Sequence, residues 1–199
     1  VIGTASSLRG LIVNNAQLTL GGSADGTFSG TLAGSGRVTK TGTGTLTLNG
    51  TQSMSGLFSV SQGTLAFNGI FAGSLDVASG AALRANGLVA GSLNLAGSLF
   101  AVPPPGASSS QSTPFAAGHD LEGPSFLTIG QNFFAAPGSV IDFAIGPGTN
   151  PTMVVGGTAS LNGTRLNITA PSIGNARSES FLALAALNGL SMVNSDVIT

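Results

Sequence analysis

The 199-residue chain has no cysteine, no tryptophan and no tyrosine, and a single histidine, His119. Charged residues make up 7% of it, against about 25% in ordinary soluble domains. Each scarcity excludes something. Without cysteine there is no disulfide framework, no zinc–thiolate site and no thiol nucleophile. Six Lys and Arg against seven Asp and Glu leave no electrostatic footprint for a nucleic acid, so no such partner is expected. A Ser-His-Asp triad could draw only on His119. No apolar run approaches the ~18 residues of a membrane-spanning helix, and the best candidate, Phe181 to Leu187, is far shorter. Lack of Tyr and Trp also removes the aromatic girdles of an outer-membrane barrel, so the chain is not expected to be membrane-embedded. The N-terminus, Val1-Ile2-Gly3-Thr4-Ala5, has no basic or apolar region of a signal peptide and reads as cut from a longer protein.

What is present points to a packed core. The apolar fraction is 42% and the formal net charge is −1, the reverse of a disordered composition. Glycine fills 31 positions, so the core must tolerate many glycines.

Short alternating segments recur along the chain. One series reads Gln17–Leu20, Thr45–Leu48, Thr64–Phe67, Ala82–Ala85, Ser98–Ala101, Val140–Phe143 and Arg165–Ile168. A second reads Leu11–Val13, Leu57–Val60, Ser74–Val77, Ser92–Leu95 and Phe126–Ile129. A third short segment follows each pair, as at Ile70–Gly73 and Leu88–Gly91. Leu46 to Leu65 is 19 residues, Leu65 to Leu83 is 18, and Val60 to Val77 is 17. Period-two alternation argues for strands. A constant 17–19-residue period with three strands in it fits a coil better than hairpins. Successive turns of such a coil would stack ~4.8 Å apart, with Leu, Val, Ile, Phe and Ala inward and Thr, Ser, Asn, Gly and Asp outward. The expected fold is all-β: a right-handed parallel β-helix, a solenoid of about seven rungs, with a C-terminal cap near 171–199.

Asn49-Gly50, Asn68-Gly69 and Asn86-Gly87 close three successive turns at spacings of 19 and 18. Asn and Gly both tolerate the positive φ of a sharp corner. If Asn49, Asn68 and Asn86 lie inside the corner, their amides could bond from rung to rung. Taken singly, each is an ordinary turn dipeptide.

Gly34-Ser35-Gly36-Arg37-Val38-Thr39-Lys40-Thr41-Gly42-Thr43-Gly44-Thr45-Leu46-Thr47-Leu48-Asn49-Gly50 is the most specific motif, and it runs on into Ser59-Val60-Ser61-Gln62-Gly63-Thr64-Leu65. It resembles the autotransporter-associated β-strand repeat, roughly G-x-G-x-[LV]-x-K-x-G-x-G-x-L-x-L-x-G. The resemblance is specific over 28–69 and weaker over 70–101. Residues 126–199 resemble the passenger stretch before the barrel of type V autotransporters, often called the autochaperone. The rung Val154 to Thr164 fits that pattern, while Ser180 to Leu190 departs from it, with no second Gly or Phe after Gly189. The resemblance implies a secreted or surface protein of a Gram-negative bacterium. It also implies a signal peptide before the passenger and a translocator barrel after it as partner. Absence of cysteine agrees with secretion through a narrow pore.

Three segments follow from this reading: regular rungs over 1–101, an inserted Pro/Ser-rich loop over 102–125, and C-terminal rungs with a cap over 126–199. The insertion interrupts the period with Val102-Pro103-Pro104-Pro105, since three prolines cannot continue a ladder. It carries His119, Asp120 and Glu122, the densest ionisable group in the chain. These are the candidate recognition residues, because loops on rigid scaffolds often carry function. His and carboxylates together could also hold a metal, but the favoured reading of the loop is a solvated insertion without a role. Arg37 and Lys40 are expected to decorate a turn.

An enzyme is not expected. Asp25, Asp76, Asp142 and Asp196 are far apart, and the place one rung after Asp76 is Asn94. A lone acid cannot supply the paired acid and base of a glycosidase. No phosphate-cradling loop occurs, since the Gly-rich runs precede strands and not helices. No cofactor and no metal are expected. The function expected is that of a structural stem that supports passenger folding and presents distal regions. The rival readings are an adhesin or self-association module binding host or neighbouring cells, and, less favoured, a glycan-active β-helix enzyme.

Overall fold

A computed structural model of the chain describes residues 2–3, 9–101, 125–144, 152–169, 184–193 and 196–198. Among these residues every regular element is a strand and every strand pairing is parallel. Parallel neighbours cannot be joined by a tight hairpin, so each pairing links one turn of a coil to the next. The protein is a parallel β-helix.

The first sheet has nine strands: Ile2–Gly3, Gln17–Leu20, Arg37–Lys40, Leu57–Val60, Ser74–Val77, Leu93–Leu95, Phe133–Ala135, Ala159–Asn162 and Leu190–Val193. Each begins a tier, and the tiers are numbered 1 to 9 in that order. Nine tiers exceed the seven that the spacing marks, because the last three stand 40, 26 and 31 residues apart along the chain.

The second sheet has eleven strands and covers the other two faces. Its long members are Thr45–Gln52, Thr64–Phe71 and Ala82–Val89 in tiers 3 to 5. Ala82 to Arg84 pair with Ser98 to Phe100, whereas Gly87 to Val89 pair with Leu127 to Ile129. One strand therefore feeds two faces, and the second and third segments of the repeat merge into one element. The bend between them is made by Gly50, Gly69 and Gly87, with φ of 77°, 137° and 124°. Leu11–Val13 and Thr31–Ala33 form a separate pair on the third face of tiers 1 and 2.

Three segments lie on a different face from the one expected. Leu11–Val13, placed in series with Leu57–Val60, pairs with Thr31–Ala33 on the third face. Gln17–Leu20 pairs with Arg37–Lys40 on the first sheet, not with Thr45–Leu48. Residues 127–129 pair with 87–89 on the third face, not with the series of Ser92–Leu95. Alternation shows that a segment is a strand, but it does not say which face of the coil the strand occupies. Of the region expected to cap the coil, Leu184–Ala186, Leu190–Val193 and Asp196–Ile198 add parallel strands that continue both sheets.

The core is a set of columns running along the coil. Leu18, Val38, Phe58, Leu75, Leu93, Phe133 and Ala159 form one, each in register with the next. Leu46, Leu65, Leu83, Leu99, Ile141 and Leu166 form another. All are buried, and they join one hydrophobic cluster. Burying each large aliphatic side chain contributes roughly 1.5–3 kcal/mol. The last tier leaves its columns uncovered: Leu190 and Met192, in register with buried Ala159 and Leu161, are 47% and 41% exposed.

Candidate functional site

The least expected chemistry lies at the corner between the first and second sheets, in tiers 2 to 4. Lys40 occupies an inward column between Leu20 and Val60. It is buried, 3% exposed. This corrects the expectation that Lys40 decorates a turn, although Arg37, three residues earlier, is exposed. Lys40 Nζ donates to Gly42 O at 3.0 Å and to Gln62 O at 2.8 Å. One lysine thereby clips tier 3 to tier 4. Gln62 Oε1 accepts from Gly42 N, and Asp25 Oδ1 accepts from Thr45 N at 2.6 Å.

Asp25, Lys40 and Thr45 border a cleft of about 260 Å³ whose lining also includes Leu20 and Leu46. Burial lowers the Lys40 pKa from its ordinary value, and the charge of nearby Asp25 partly opposes that shift. Chemically the cleft offers one cation already engaged by two carbonyls and one carboxylate engaged by a backbone N–H.

A second buried polar side chain closes the other end of the same tier. Gln52 is 1% exposed and sits in the column of Phe71 and Val89. Its Oε1 accepts from Leu32 N at 2.8 Å, and its Nε2 donates to Gly30 O and Asn49 O. Sequence reasoning passed over Gln52 because glutamine in a strand gives no motif signal.

Asn49, Asn68 and Asn86 stand side by side on tiers 3 to 5. Asn49 and Asn68 are exposed and Asn86 is half-buried. Among the described residues no hydrogen bond joins their amides. Other asparagines do bond between tiers, at the corner that returns to the first sheet. Asn14 Nδ2 donates to Arg37 O, Asn15 Oδ1 accepts from Ser35 N, and Asn132 Oδ1 accepts from Thr158 N and Oγ1.

On the outer surface of the second sheet, Ala66, Arg84, Phe100, Asp142 and Asn167 form a row. The Arg84 guanidinium lies 5.1 Å from the Phe100 ring centre, a cation–π contact. Asn167 Nδ2 donates to Asp142 Oδ1 at 2.6 Å. Asp76 is in register with Asn94. Among the described residues no three His, Cys, Asp or Glu come together as a metal site would require, and no helix is long and apolar enough to cross a membrane. His119, Asp120 and Glu122 lie outside the described residues. The chain leaves the second sheet at Ala101 and re-enters at Ser125, across the same corner that Asn49-Gly50 turns in tier 3. In the next two tiers the strands ending at Ala144 and Thr169 and those starting at Thr152 and Leu184 border the same corner.

Residues 38–67 match the family model of the passenger-associated-transport-repeat. No curated protein and no solved structure matches the chain. The matched segment starts inside the strand that ends at Lys40 and closes at Phe67, so it contains both Lys40 and Gln52 and the bond from Lys40 to Gln62 that joins tier 3 to tier 4. Over that stretch the chain is similar to the passenger-associated-transport-repeat, which here lies within tiers 3 and 4 of a parallel coil.

Proposed function

We propose that the chain is a structural stem of a secreted or surface-displayed passenger of a Gram-negative bacterium, and that it has no catalytic activity of its own. The stem raises distal parts of the passenger and helps them fold. The observation that supports this most is the continuity of the buried columns from tier to tier. Each tier supplies the floor on which its neighbour packs. A folded tier also offers an unpaired strand edge, and an unpaired edge recruits the next strand. Stacking in one direction then uses up each edge as it forms and needs no external energy source. The translocator barrel is the partner that such a passenger requires.

The scattered acids favour a stem over an enzyme. Asp142 has Phe100 and Asn167 as tier neighbours, and Asp76 has Asn94. Neither has a second carboxylate one tier away to complete an acid–base pair. Deleting residues 126–199 from the full-length passenger tests the folding role. Secretion falls and the remaining passenger becomes protease-sensitive; unchanged secretion and resistance would overturn it.

An adhesive role is the second reading. It draws on the second sheet being left at one corner in three successive tiers, after Ala101, Ala144 and Thr169. The row of Arg84, Phe100 and Asp142 adds mixed polar and aromatic surface. Loss of cell aggregation or host-cell binding on deleting 103–124 would favour this reading over a passive stem.

A further inference from the structure

Between Lys40 and Gln52 the chain reads Thr41-Gly42-Thr43-Gly44-Thr45-Leu46-Thr47-Leu48. This run is itself a two-residue repeat. Sliding it by two residues toward Gly50 keeps the threonines outward and puts Leu46 in the place of Leu48, with Gly44 in the place of Leu46; the opposite slide puts Leu46 in the place of Gly44, where a Cβ would strike the Ala24 carbonyl oxygen. Side chains alternate with period two, so a slip of two keeps each side chain on its face, and Gly-rich stretches specify register weakly. Toward Gly50 the run by itself therefore resists a slip only by the one inward leucine that the slip loses.

Its two ends are not ambiguous. Lys40 reaches Gly42 O and Gln62 O in one place only. Gln52 bonds Leu32 N and Gly30 O, the two groups that flank Thr31. These are the groups to which a parallel strand neighbour would bond. Moving the run two residues toward Gly50 or toward Lys40 pulls one of these side chains off its partners. A buried ammonium or amide without partners is costly, whereas a displaced Leu or Val would only repack. The two polar residues add to the penalty on a slip that the repetitive run opposes only weakly.

We propose that Lys40 and Gln52 are a register lock: paired positioning residues that bracket the Thr-Gly-Thr-Leu run and fix its alignment with the tiers on either side. This deepens the folding role proposed above and rests on it only for its biological use, since register is read on the chain itself. A stem that grows tier by tier would carry any slip at tier 3 into later stacking, so the lock belongs where the run is most repetitive.

The absence of cysteine gives a clean background for a cross-linking test. Thr45 and Thr64 are register partners, whereas Thr47 pairs with Ala66. The double variant Thr45→Cys/Thr64→Cys reports the native register and Thr45→Cys/Ala66→Cys a two-residue slip toward Gly50, because a diagonal pair lies beyond the roughly 7 Å limit for a disulfide. The intact chain is refolded from denaturant and oxidised. With Lys40 and Gln52 present, the first pair closes and the second does not. Adding Lys40→Met or Gln52→Met raises closure of the slipped pair at least about tenfold, the population shift expected once slip no longer strands a buried polar group. Lys40→Arg, which keeps a cation, returns it toward the starting level. Two results would overturn the proposal. One is native closure alone in both Met variants, which leaves the lock no role in register. The other is loss of β-structure by circular dichroism in the Met variants, which assigns these residues to overall stability.

Discussion

The Gln52 side chain completes a strand pairing that the backbone leaves unmade: its Oε1 accepts the Leu32 N–H at 2.8 Å while its Nε2 donates to Gly30 O. Leu32 belongs to the small two-stranded sheet on the third face, and no backbone pairing joins that sheet to tier 3. A side-chain amide has the same donor and acceptor as a peptide group. Gln52 thus does for tier 2 what the next strand does elsewhere. The cost of burying a polar side chain is offset because all its hydrogen-bonding groups find partners.

Replacing Gln52 by Ala strands the buried Leu32 N–H, which costs about 1–3 kcal/mol for that group alone. Gln52→Glu should behave differently with pH. A buried carboxyl is held in its neutral form, so its folded pKa rises above the unfolded value of about 4.3. The folded state then binds more protons than the unfolded one, and stability falls as pH rises through that value. Urea unfolding of Gln52→Glu between acid and neutral pH, set against the wild type, checks this. Parallel curves would show that residue 52 is not buried in solution.

Lys40 gives the opposite slope. Burial lowers its folded pKa below the ordinary 10.5, with Asp25 opposing. Between the lowered value and 10.5 the unfolded chain holds more protons, so stability rises with pH across that window. Below the window both states are charged and the burial penalty is constant. The expected outcome is that wild type gains on Lys40→Met as pH is raised toward 10.5. Asp25→Asn removes the opposing charge and widens the window downward. A constant difference between wild type and Lys40→Met over the alkaline range would contradict the burial of the amine.

The columns make different demands at the middle and the end of the coil. Leu83 is fully buried between Leu65 and Leu99. Leu83→Ala leaves a cavity and costs about 2–5 kcal/mol. Leu187 is 53% exposed, and Leu187→Ala stays within about 0.5 kcal/mol, as for surface changes generally. Denaturant midpoints of the two variants provide the comparison. Similar shifts would mean that Leu187 is covered in solution.

The strands and their inward faces were legible because Leu, Val, Ile and Phe alternate with Thr and Ser, as in Thr45–Leu48 and Ser74–Val77. The equivalence of Asn49, Asn68 and Asn86 was legible from their spacing. Face assignment was not, because Gln17–Leu20 reads the same on any face, and only the corner length before it decides. Lys40 was read by its charge and not by its parity, which places it in line with Val38 and the core. The tier-to-tier bonds of Asn14, Asn15 and Asn132 have no common spacing, so no pattern announces them.

Glycine was read as a corner residue that needs positive φ, and that holds for part of the set. Gly50 has φ of 77° with open space around a would-be Cβ. Gly56 and Gly73 have no such φ. A Cβ on Gly56 would strike the carbonyl oxygen of Gly36, one tier away, and a Cβ on Gly73 would strike that of Gly56. Backbone stacks on backbone at this corner, and there the neighbouring atom is a carbonyl that cannot swing aside. Two glycine substitutions should therefore differ in cause and size. Gly50→Ala carries only the left-handed penalty, about 1–2 kcal/mol. Gly56→Ala must push two tiers apart and reaches at least the upper end of overpacking, about 3 kcal/mol. Equilibrium unfolding of both variants separates the two causes, and equal costs would show that tier contact at Gly56 is looser than its position beneath Gly36 implies.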